Sequence, residues 1–292
     1  MSVMKKYIFV AKPGIVVSNL LTFFCGFIAA ADGYILADWK TLIASLIGTT
    51  MALASSTTLN NFLDQDIDYL MSRTHNRVSV NGSLSNKQII LYLLCLGLVG
   101  FITLLVFVNV LTTLVILAGY LVYIVLYSMK FKRTTKYSTL IGSFSGATLP
   151  LAGYTAYANT IDLYGLSLFL ILLAWQMPHF YAIGIFRIND YKLANIPVMP
   201  VATSVKNTVK HIFVWSIIFM ICAILPFVLH EAGYLYIILV VLICLYWIFI
   251  CYQGFTTNNY TLWAKQVFFT SLIVLMILLL VLICDKLVNM II

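Results

Sequence analysis

Residues 265–284 read KQVFFTSLIVLMILLLVLIC, a run of twenty positions with a single charged side chain at its start. A helix of about 20 apolar residues is long enough to cross the hydrocarbon core of a bilayer. Eight further runs of similar character occur along the 292-residue chain. We therefore predict nine spanning helices, at residues 10–31, 41–63, 88–108, 112–129, 139–157, 164–186, 212–230, 233–252 and 265–284.

The overall composition indicates the same class of protein. Hydrophobic residues make up 63% of the chain and charged residues only 9%, whereas soluble domains carry about 25% charged residues. The amphipathic alternation that is typical of an outer-membrane barrel is weak. We predict an all-α integral membrane protein, a bundle of about nine transmembrane helices in which residues 1–292 form a single domain.

The cations of the chain are distributed unevenly between the two predicted membrane faces. Of the 17 Lys and Arg residues, 15 lie before or at the start of the first span or follow spans two, four, six and eight. Cytoplasmic connections of membrane proteins carry such an excess. We expect a cytoplasmic N-terminus and an external C-terminus, in the cytoplasmic membrane of a bacterium. Because no basic stripe with interleaved aromatic residues occurs, the net charge of +8 does not predict nucleic-acid binding.

The acids divide between the same two faces. Four fall on the predicted cytoplasmic side, in the two longest connections, where Asp64, Asp66 and Asp68 follow span two and Asp190 follows span six. Long connections often carry function. We expect the five acids on the predicted external side to be ordinary solvated charges: Asp32, Asp38, Asp162, Glu231 and Asp285.

The first acidic segment has the spacing of a metal-binding helix face. If span two continues as a helix, Asn60, Asp64 and Asp68 lie on one face and Asp66 points elsewhere. Two carboxylates one turn apart repel each other unless a cation lies between them, and Mg²⁺ typically joins one or two carboxylates to substrate phosphates. The alternative is that the helix end carries only solvated charges.

Two arginines follow the acidic segment at the same one-turn spacing. Arg73 and Arg77 could bind phosphate oxygens in a bidentate manner. We therefore predict that this side of the chain binds a magnesium complex of a phosphorylated substrate.

The second acidic segment combines a histidine inside an apolar span with a charged connection. His179 follows Pro178 at membrane depth, where ionisable side chains usually face a cavity. A haem contact, a proton relay and a hydrogen-bonded histidine inside the bundle all remain open for it. Arg187 and Lys192 flank Asp190, and we expect both cations to contact phosphate.

A third segment opens span five with small residues, Gly142-Ser143-Phe144-Ser145-Gly146-Ala147. Small residues allow close helix approach, and they could equally make room for a flat ligand. The cations just before it, Lys130, Lys132 and Arg133, have two interpretations as well, as topology determinants or as part of the site.

These motifs together resemble the UbiA-type intramembrane prenyltransferases. Asn60-Asn61-x-x-Asp64-x-x-x-Asp68 is similar to the first Asp-rich motif of that family, whose usual form has Asp at the second position. The resemblance extends over nearly the whole chain. Its other motifs are Arg73-Thr74-x-Asn76-Arg77, Trp175-Gln176-Met177-Pro178-His179, Arg187-x-x-Asp190-Tyr191 and Ala194-Asn195-Ile196-Pro197-Val198-x-Pro200.

The chain departs from the family pattern at two places. Leu149 stands where a second proline is expected before Pro150. The second motif of the wider family holds several Asp residues, whereas here only Asp190 remains and His179 stands where an Asp would be. This divergence makes an aromatic acid a less suitable substrate.

The resemblance implies the branch of the family that transfers a farnesyl group from farnesyl diphosphate to a vinyl group of haem B. Catalytic roles would fall on Asp64, Asp68, Arg187 and Asp190, with Mg²⁺ on Asp64 and Asp68. The implied substrate-binding residues are Asn60, Asn61, Arg73, Arg77, Lys192 and His179. Haem B is then a substrate rather than a cofactor, and the lipid bilayer is the surrounding solvent.

Other functions are compatible with parts of the sequence. Prenylation of a quinone precursor such as 4-hydroxybenzoate would use the same fold. A transporter would place charges along a path through the bilayer, whereas here they collect on one side. The sequence does not indicate whether a haem A synthase or a terminal oxidase binds the protein directly.

Overall fold

The computed structural model describes residues 2–31 and 38–289, and Asp32 lies outside them. All regular structure in these two stretches is helical. The elements in chain order are α1 (Val3–Val10), α2 (Pro13–Ala31), α3 (Trp39–Leu63), α4 (Gln65–Leu70), α5 (Asn86–Phe107), α6 (Val110–Leu121) with a π-helical continuation (Val122–Phe131), α7 (Ser138–Ala158), α8 (Leu163–Phe186), α9 (Ile188–Leu193), α10 (Met199–Ala202), α11 (Val205–Val228), α12 (Tyr234–Tyr252), a 3₁₀ turn (Gln253–Phe255) and α13 (Tyr260–Asn289).

The nine predicted spans all form long helices, and the predicted all-α membrane class is confirmed. Among the described residues, eight helices are long and apolar enough to cross a membrane by length and composition. The ninth, α7, has 21 residues, of which nine are Ser, Thr or Gly. These small and polar residues lower its hydropathy, because they carry little apolar surface.

The packing of α7 against α2 explains why it holds small residues. A Cβ atom added to Gly153 would lie 1.8 Å from the carbonyl oxygen of Phe23, and one added to Gly26 would lie 2.0 Å from that of Pro150. Only glycine allows two helix backbones to approach this closely. The close contact between α2 and α7 therefore occurs at Gly153, six residues beyond the small-residue segment that ends at Ala147.

The seventh span begins earlier than predicted. Residues 205–211 belong to α11, although the sequence placed them in a long connection. Ser204 caps the helix, since its side chain accepts a hydrogen bond from the backbone N–H of Asn207 at 3.1 Å. The connection after α8 is correspondingly short, and it holds the short helices α9 and α10.

The helix α8 lies at the centre of the bundle. It packs against α7, α11 and α13, and most of its residues are buried. It continues through Pro178 to Phe186. The C-terminal ends of α3 and α8 and the N-terminal end of α7 border one shared volume on the side where the acidic connections lie.

Candidate active site

A cavity of about 330 Å³ opens at the end of the bundle where α3 meets the first acidic connection. Its polar side is lined by Asp64, Asp68, Arg73, Arg77, Lys12 and Lys132. Its deeper side is lined by aromatic, small and apolar residues from the π-helix, α7 and α8. The cavity therefore has the layout of a site for a molecule with a charged end and an apolar body.

The two carboxylates on the cavity wall lie on one face, although the helix is interrupted between them. Helix α3 ends at Leu63, but the backbone N–H of Asp64 still bonds to the carbonyl of Asn60 at 3.0 Å. The N–H of Asp68 likewise bonds to the carbonyl of Asp64 at 2.8 Å. The i, i+4 spacing is thus preserved, and both side chains point into the cavity.

Each of the two carboxylates is paired with a cation. Lys132 Nζ lies 2.5 Å from Oδ2 of Asp64, and Arg77 Nη1 lies 2.5 Å from Oδ2 of Asp68. The side chains of both aspartates are at most 5% exposed. Because a buried charge is costly without a partner, these ion pairs allow two acids to share one small cavity.

Asp66 points away from the cavity, as the helical spacing predicts. Its side chain is 63% exposed and accepts two hydrogen bonds from Arg133, at 2.6 and 2.7 Å. These bonds from Arg133 hold the pKa of Asp66 below its usual range. Arg133 thereby contacts the acid outside the cavity, whereas Lys132 beside it contacts the acid inside.

The two asparagines of the motif hold the charged groups in place. The side-chain amide of Asn60 donates to Oδ2 of Asp64 at 2.8 Å and to Ser128 at 3.0 Å. Asn61 accepts from Arg77 at 3.2 Å and donates to the carbonyl of Val10 at 2.6 Å. Both side chains are buried, so they orient the carboxylate and the guanidinium on the cavity wall.

Lys12 is a site residue that the sequence analysis assigned only to the charge bias. It precedes α2 in a left-handed backbone conformation, with φ of 52°, and its Nζ donates to Oδ1 of Asn60 at 2.6 Å. Burial, together with the nearby charge of Arg77, lowers its pKa to about 7. The sequence feature that could have indicated this role is the position of Lys12, a single cation at the start of an apolar run.

The donor set on the cavity wall fits magnesium. Among the described residues, Oδ1 of Asp64 is a buried oxygen without a hydrogen-bond partner, so it is available as a ligand. No cluster of three or more His, Cys, Asp or Glu side chains occurs in those residues. Two carboxylates suit Mg²⁺, which keeps several waters and shares substrate phosphates, better than Zn²⁺ or Ca²⁺, which take more protein ligands.

The second acidic connection contributes less charge to the cavity than the sequence predicts. Asp190 is buried and accepts two hydrogen bonds from Ser72, from the hydroxyl at 2.9 Å and the backbone N–H at 3.3 Å. Arg187 and Lys192 are exposed and do not line the cavity in the described part of the chain. Tyr191 is the residue of α9 that reaches the cavity wall.

His179 lies inside the bundle and not on the described cavity wall. Its Nδ1 is 2.7 Å from the hydroxyl of Ser271, and its ring stacks on Trp175 with centroids 4.6 Å apart. The indole N–H of Trp175 donates to the carbonyl of Ser271 at 2.8 Å. Among the three interpretations of His179, this geometry favours the hydrogen-bonded histidine.

Aromatic and small residues form the deeper part of the cavity. The rings of Tyr123 and Tyr127 stack with centroids 5.7 Å apart in the π-helix, a rare geometry that is frequent at functional sites. A Cβ added to Gly146 would lie 2.3 Å from Oε1 of Gln176. Gly142 and Gly146 line the cavity, and glycine at position 146 lets the side chain of Gln176 pack against α7. The sequence offered no signal for the two tyrosines beyond aromatic composition.

The fold and this arrangement of acids and cations define an intramembrane prenyltransferase. Residues 19–273 match the family model described as the UbiA prenyltransferase family. The chain belongs to this family.

Two relatives share more specific similarity with the chain. The protoheme IX farnesyltransferases of Edwardsiella ictaluri and Photorhabdus laumondii are each 39% identical to it over 269 residues. The alignments cover 92% of this chain and 90% and 91% of the two relatives.

Solved structures of other proteins have the same fold. A digeranylgeranylglyceryl phosphate synthase superposes with a TM-score of 0.82 at 18% identity, covering 97% of this chain and 98% of that chain. A UbiA homologue from Archaeoglobus fulgidus, bound to DMAPP and Mg²⁺, superposes with a TM-score of 0.70 at 16% identity. That superposition covers 93% of this chain and 99% of the homologue.

Proposed function

We propose that this protein transfers the farnesyl group of farnesyl diphosphate to a vinyl group of haem B, forming haem O. The observation that carries the proposal is the 39% identity, over 92% of the chain, to protoheme IX farnesyltransferases. The cavity supports the same reaction class, because paired carboxylates and cations lie beside an apolar volume. Farnesyl diphosphate matches the layout of the cavity, because it carries a charged diphosphate group on an apolar chain.

The charged end of the cavity is suited to the diphosphate. Asp64 and Asp68 would hold Mg²⁺, which supplies positive charge that stabilises the departing diphosphate. Arg77 and Lys132 already pair with these carboxylates and would turn to phosphate oxygens when the substrate enters. Arg73 lies on the same wall and adds a third cation. A homologue of this fold that binds DMAPP and Mg²⁺ supports the assignment.

The aromatic wall is suited to the cation that forms next. When the bond between C1 and oxygen breaks, the diphosphate keeps the electron pair and the farnesyl group becomes an allylic cation. The ring faces of Tyr123 and Tyr127 can stabilise a cation. The terminal vinyl carbon then bonds to C1, and water adds a hydroxyl to the inner carbon and releases a proton. Water must stay out of the cavity until that carbon bond has formed.

The proposed roles of the remaining site residues rest on single contacts and on side-chain exposure. Asp190 would position the first connection through Ser72, and Arg187 and Lys192 would meet the diphosphate as it approaches. His179 would orient Trp175 and the α8 segment beside the cavity rather than contact phosphate. Asn60 and Asn61 would act on substrate through the groups that they orient.

The active end of the bundle is proposed to face the cytoplasm of a bacterial cell, across the cytoplasmic membrane. The basis is the charge bias, since 15 of the 17 Lys and Arg residues belong to this side. Reporter fusions after Lys87 and Lys210 should read cytoplasmic, and one after Asp162 external. The reverse result would place the site on the external face.

Product analysis tests the reaction directly. The purified protein, supplied with haem B, farnesyl diphosphate and magnesium, should yield a haem heavier by a farnesyl and a hydroxyl group. The Asp64→Asn variant serves as the matched control, because it keeps the shape of the site and loses the charge. Prenylation of 4-hydroxybenzoate with haem B left unchanged would refute the haem assignment and leave the prenyltransferase assignment intact.

A further inference from the structure

A second cavity of about 550 Å³ adjoins the first on the same end of the bundle. It lies between α1 and the turns that follow Arg77, and we call it the vestibule. Its described lining includes three cations and three asparagines: Lys6, Lys12, Arg77, Asn61, Asn76 and Asn81. No acid occurs among the described residues that line it. Its volume is well within the range of ligand sites.

The vestibule shares two cations with the active-site cavity. Lys12 and Arg77 line both volumes, so they stand between them. On the cavity side, Arg77 pairs with Asp68 and Lys12 bonds to Asn60. An oxyanion that these two side chains hold in the cavity can therefore stay in contact with them while it moves into the vestibule.

Lys6 belongs to the vestibule alone. It lies on α1, and its Nζ donates to the carbonyl of Ser83 at 3.2 Å, which places the ammonium beside the turns at the outer edge. A hydrogen bond to a neutral carbonyl leaves the charge uncompensated. Lys6 thus gives the vestibule a positive charge that the active-site cavity does not share.

We propose that the vestibule is a second oxyanion site, which takes inorganic diphosphate after it leaves the cavity. The proposal rests on the proposed function for the origin of the diphosphate. Charge favours this ligand over a cationic or neutral one, because the described lining holds cations and amide donors without an acid. Asp64 and Asp68 weaken the attraction of the active-site cavity for a diphosphate when no magnesium is bound, whereas the described lining of the vestibule holds no acid.

Because the active-site cavity contains acids and the described lining of the vestibule does not, diphosphate binding can be tested without catalysis. Inorganic diphosphate is titrated calorimetrically into the purified full-length protein with a chelator present. Without metal, Asp64 and Asp68 disfavour binding in the cavity, and the vestibule should still bind one diphosphate per chain. Because haem is absent from the measurement, the outcome is independent of whether the protein farnesylates haem B.

Three variants locate the bound anion. Lys6→Gln removes one vestibule charge and should weaken binding about threefold to tenfold. Asn81→Asp places an acid of nearly the same shape in the lining and should weaken binding more. Lys5→Gln is the matched control, because Lys5 is the neighbouring exposed cation of α1 and does not line the vestibule. Absence of metal-free binding, or equal effects of the Lys5 and Lys6 substitutions, would overturn the proposal.

Discussion

Two connections at the same end of the bundle carry acids, and they differ in what those acids contact. In the first, Asp64 and Asp68 face the cavity and pair with Lys132 and Arg77. In the second, Asp190 accepts hydrogen bonds from Ser72 of the first connection instead of facing the cavity. One connection thus supplies charge to the site, and the other holds that connection in position. A shared type of residue at a shared end of the fold does not imply a shared role.

The sharpest test of this contrast lies within the first connection. Asp64→Asn and Asp68→Asn keep the side-chain shape but remove the charge that a cation needs. Each should lower farnesyl transfer at least ~100-fold, about 2.7 kcal/mol of transition-state stabilisation. Asp66→Asn should cost far less, because Asp66 contacts Arg133 outside the cavity. Initial rates with saturating magnesium measure the difference, and a critical Asp66 would contradict the placement of these side chains.

The second connection should respond through its contact with Ser72. Asp190→Ala removes both hydrogen bonds and should lower activity about tenfold by loosening the first connection. Ser72→Ala removes only the hydroxyl bond and should cost less, because the backbone N–H of residue 72 can still donate to Asp190. The double variant should lose little more than Asp190→Ala alone, because that substitution already removes the whole interaction with residue 72. Additive losses would show instead that Asp190 acts on the substrate independently of Ser72.

A pH profile separates Lys12 from the other cations of the site. A pKa of about 7 means that Lys12 loses its charge as the pH rises through neutrality. Affinity for farnesyl diphosphate should then fall about threefold to tenfold between about pH 6 and pH 8. Lys12→Arg stays protonated and should flatten this part of the profile of KM. Lys5→Arg is the control, because Lys5 is exposed and does not line the cavity. If Lys12→Arg leaves the pH profile of KM unchanged, the titrating group is not Lys12.

The smallest effects are expected at the exposed cations of the second connection. Arg187→Gln and Lys192→Gln should each change activity about threefold or less, because both side chains are solvated and lie off the cavity wall. Steady-state kinetics with varied farnesyl diphosphate suffices as the measurement. A loss comparable with that of Asp64→Asn would restore the catalytic role that the sequence motif suggested for Arg187, and it would require the connection to close over the substrate.

The local part of the site could be predicted from the sequence. Apolar runs give the nine long helices, since each needs only its own composition. The separation of Asp64 and Asp68 from Asp66 follows from helical spacing, and the i, i+4 backbone bonds keep it valid across the end of α3. Helix starts were placed less well: α11 begins at Val205 instead of residue 212, and α13 at Tyr260 instead of residue 265. Their first turns include polar side chains, and hydropathy alone cannot place a helix there.

The long-range part of the site could not be predicted. Lys12 and Asn60 are 48 residues apart, and Lys132 and Asp64 are 68 apart, so their pairing depends on how α2, α3 and the π-helix pack. The partner of His179 is 92 residues away, on α13. Spacing arguments extend over a few helical turns, whereas these contacts are set by the tertiary arrangement of separate helices.

The contacts of the N-terminal segment affect how the protein can be produced. The carbonyl of Val10 accepts a hydrogen bond from Asn61, and the carbonyl of Ala11 accepts one from Thr57. A chain shortened to begin at Pro13 would lack Lys12 and would leave the buried amide of Asn61 without the acceptor that Val10 provides. Thr57 would keep its hydrogen bonds to the carbonyls of Leu53 and Ala54. We expect such a protein to be inactive. Affinity tags are better joined to the C-terminal end.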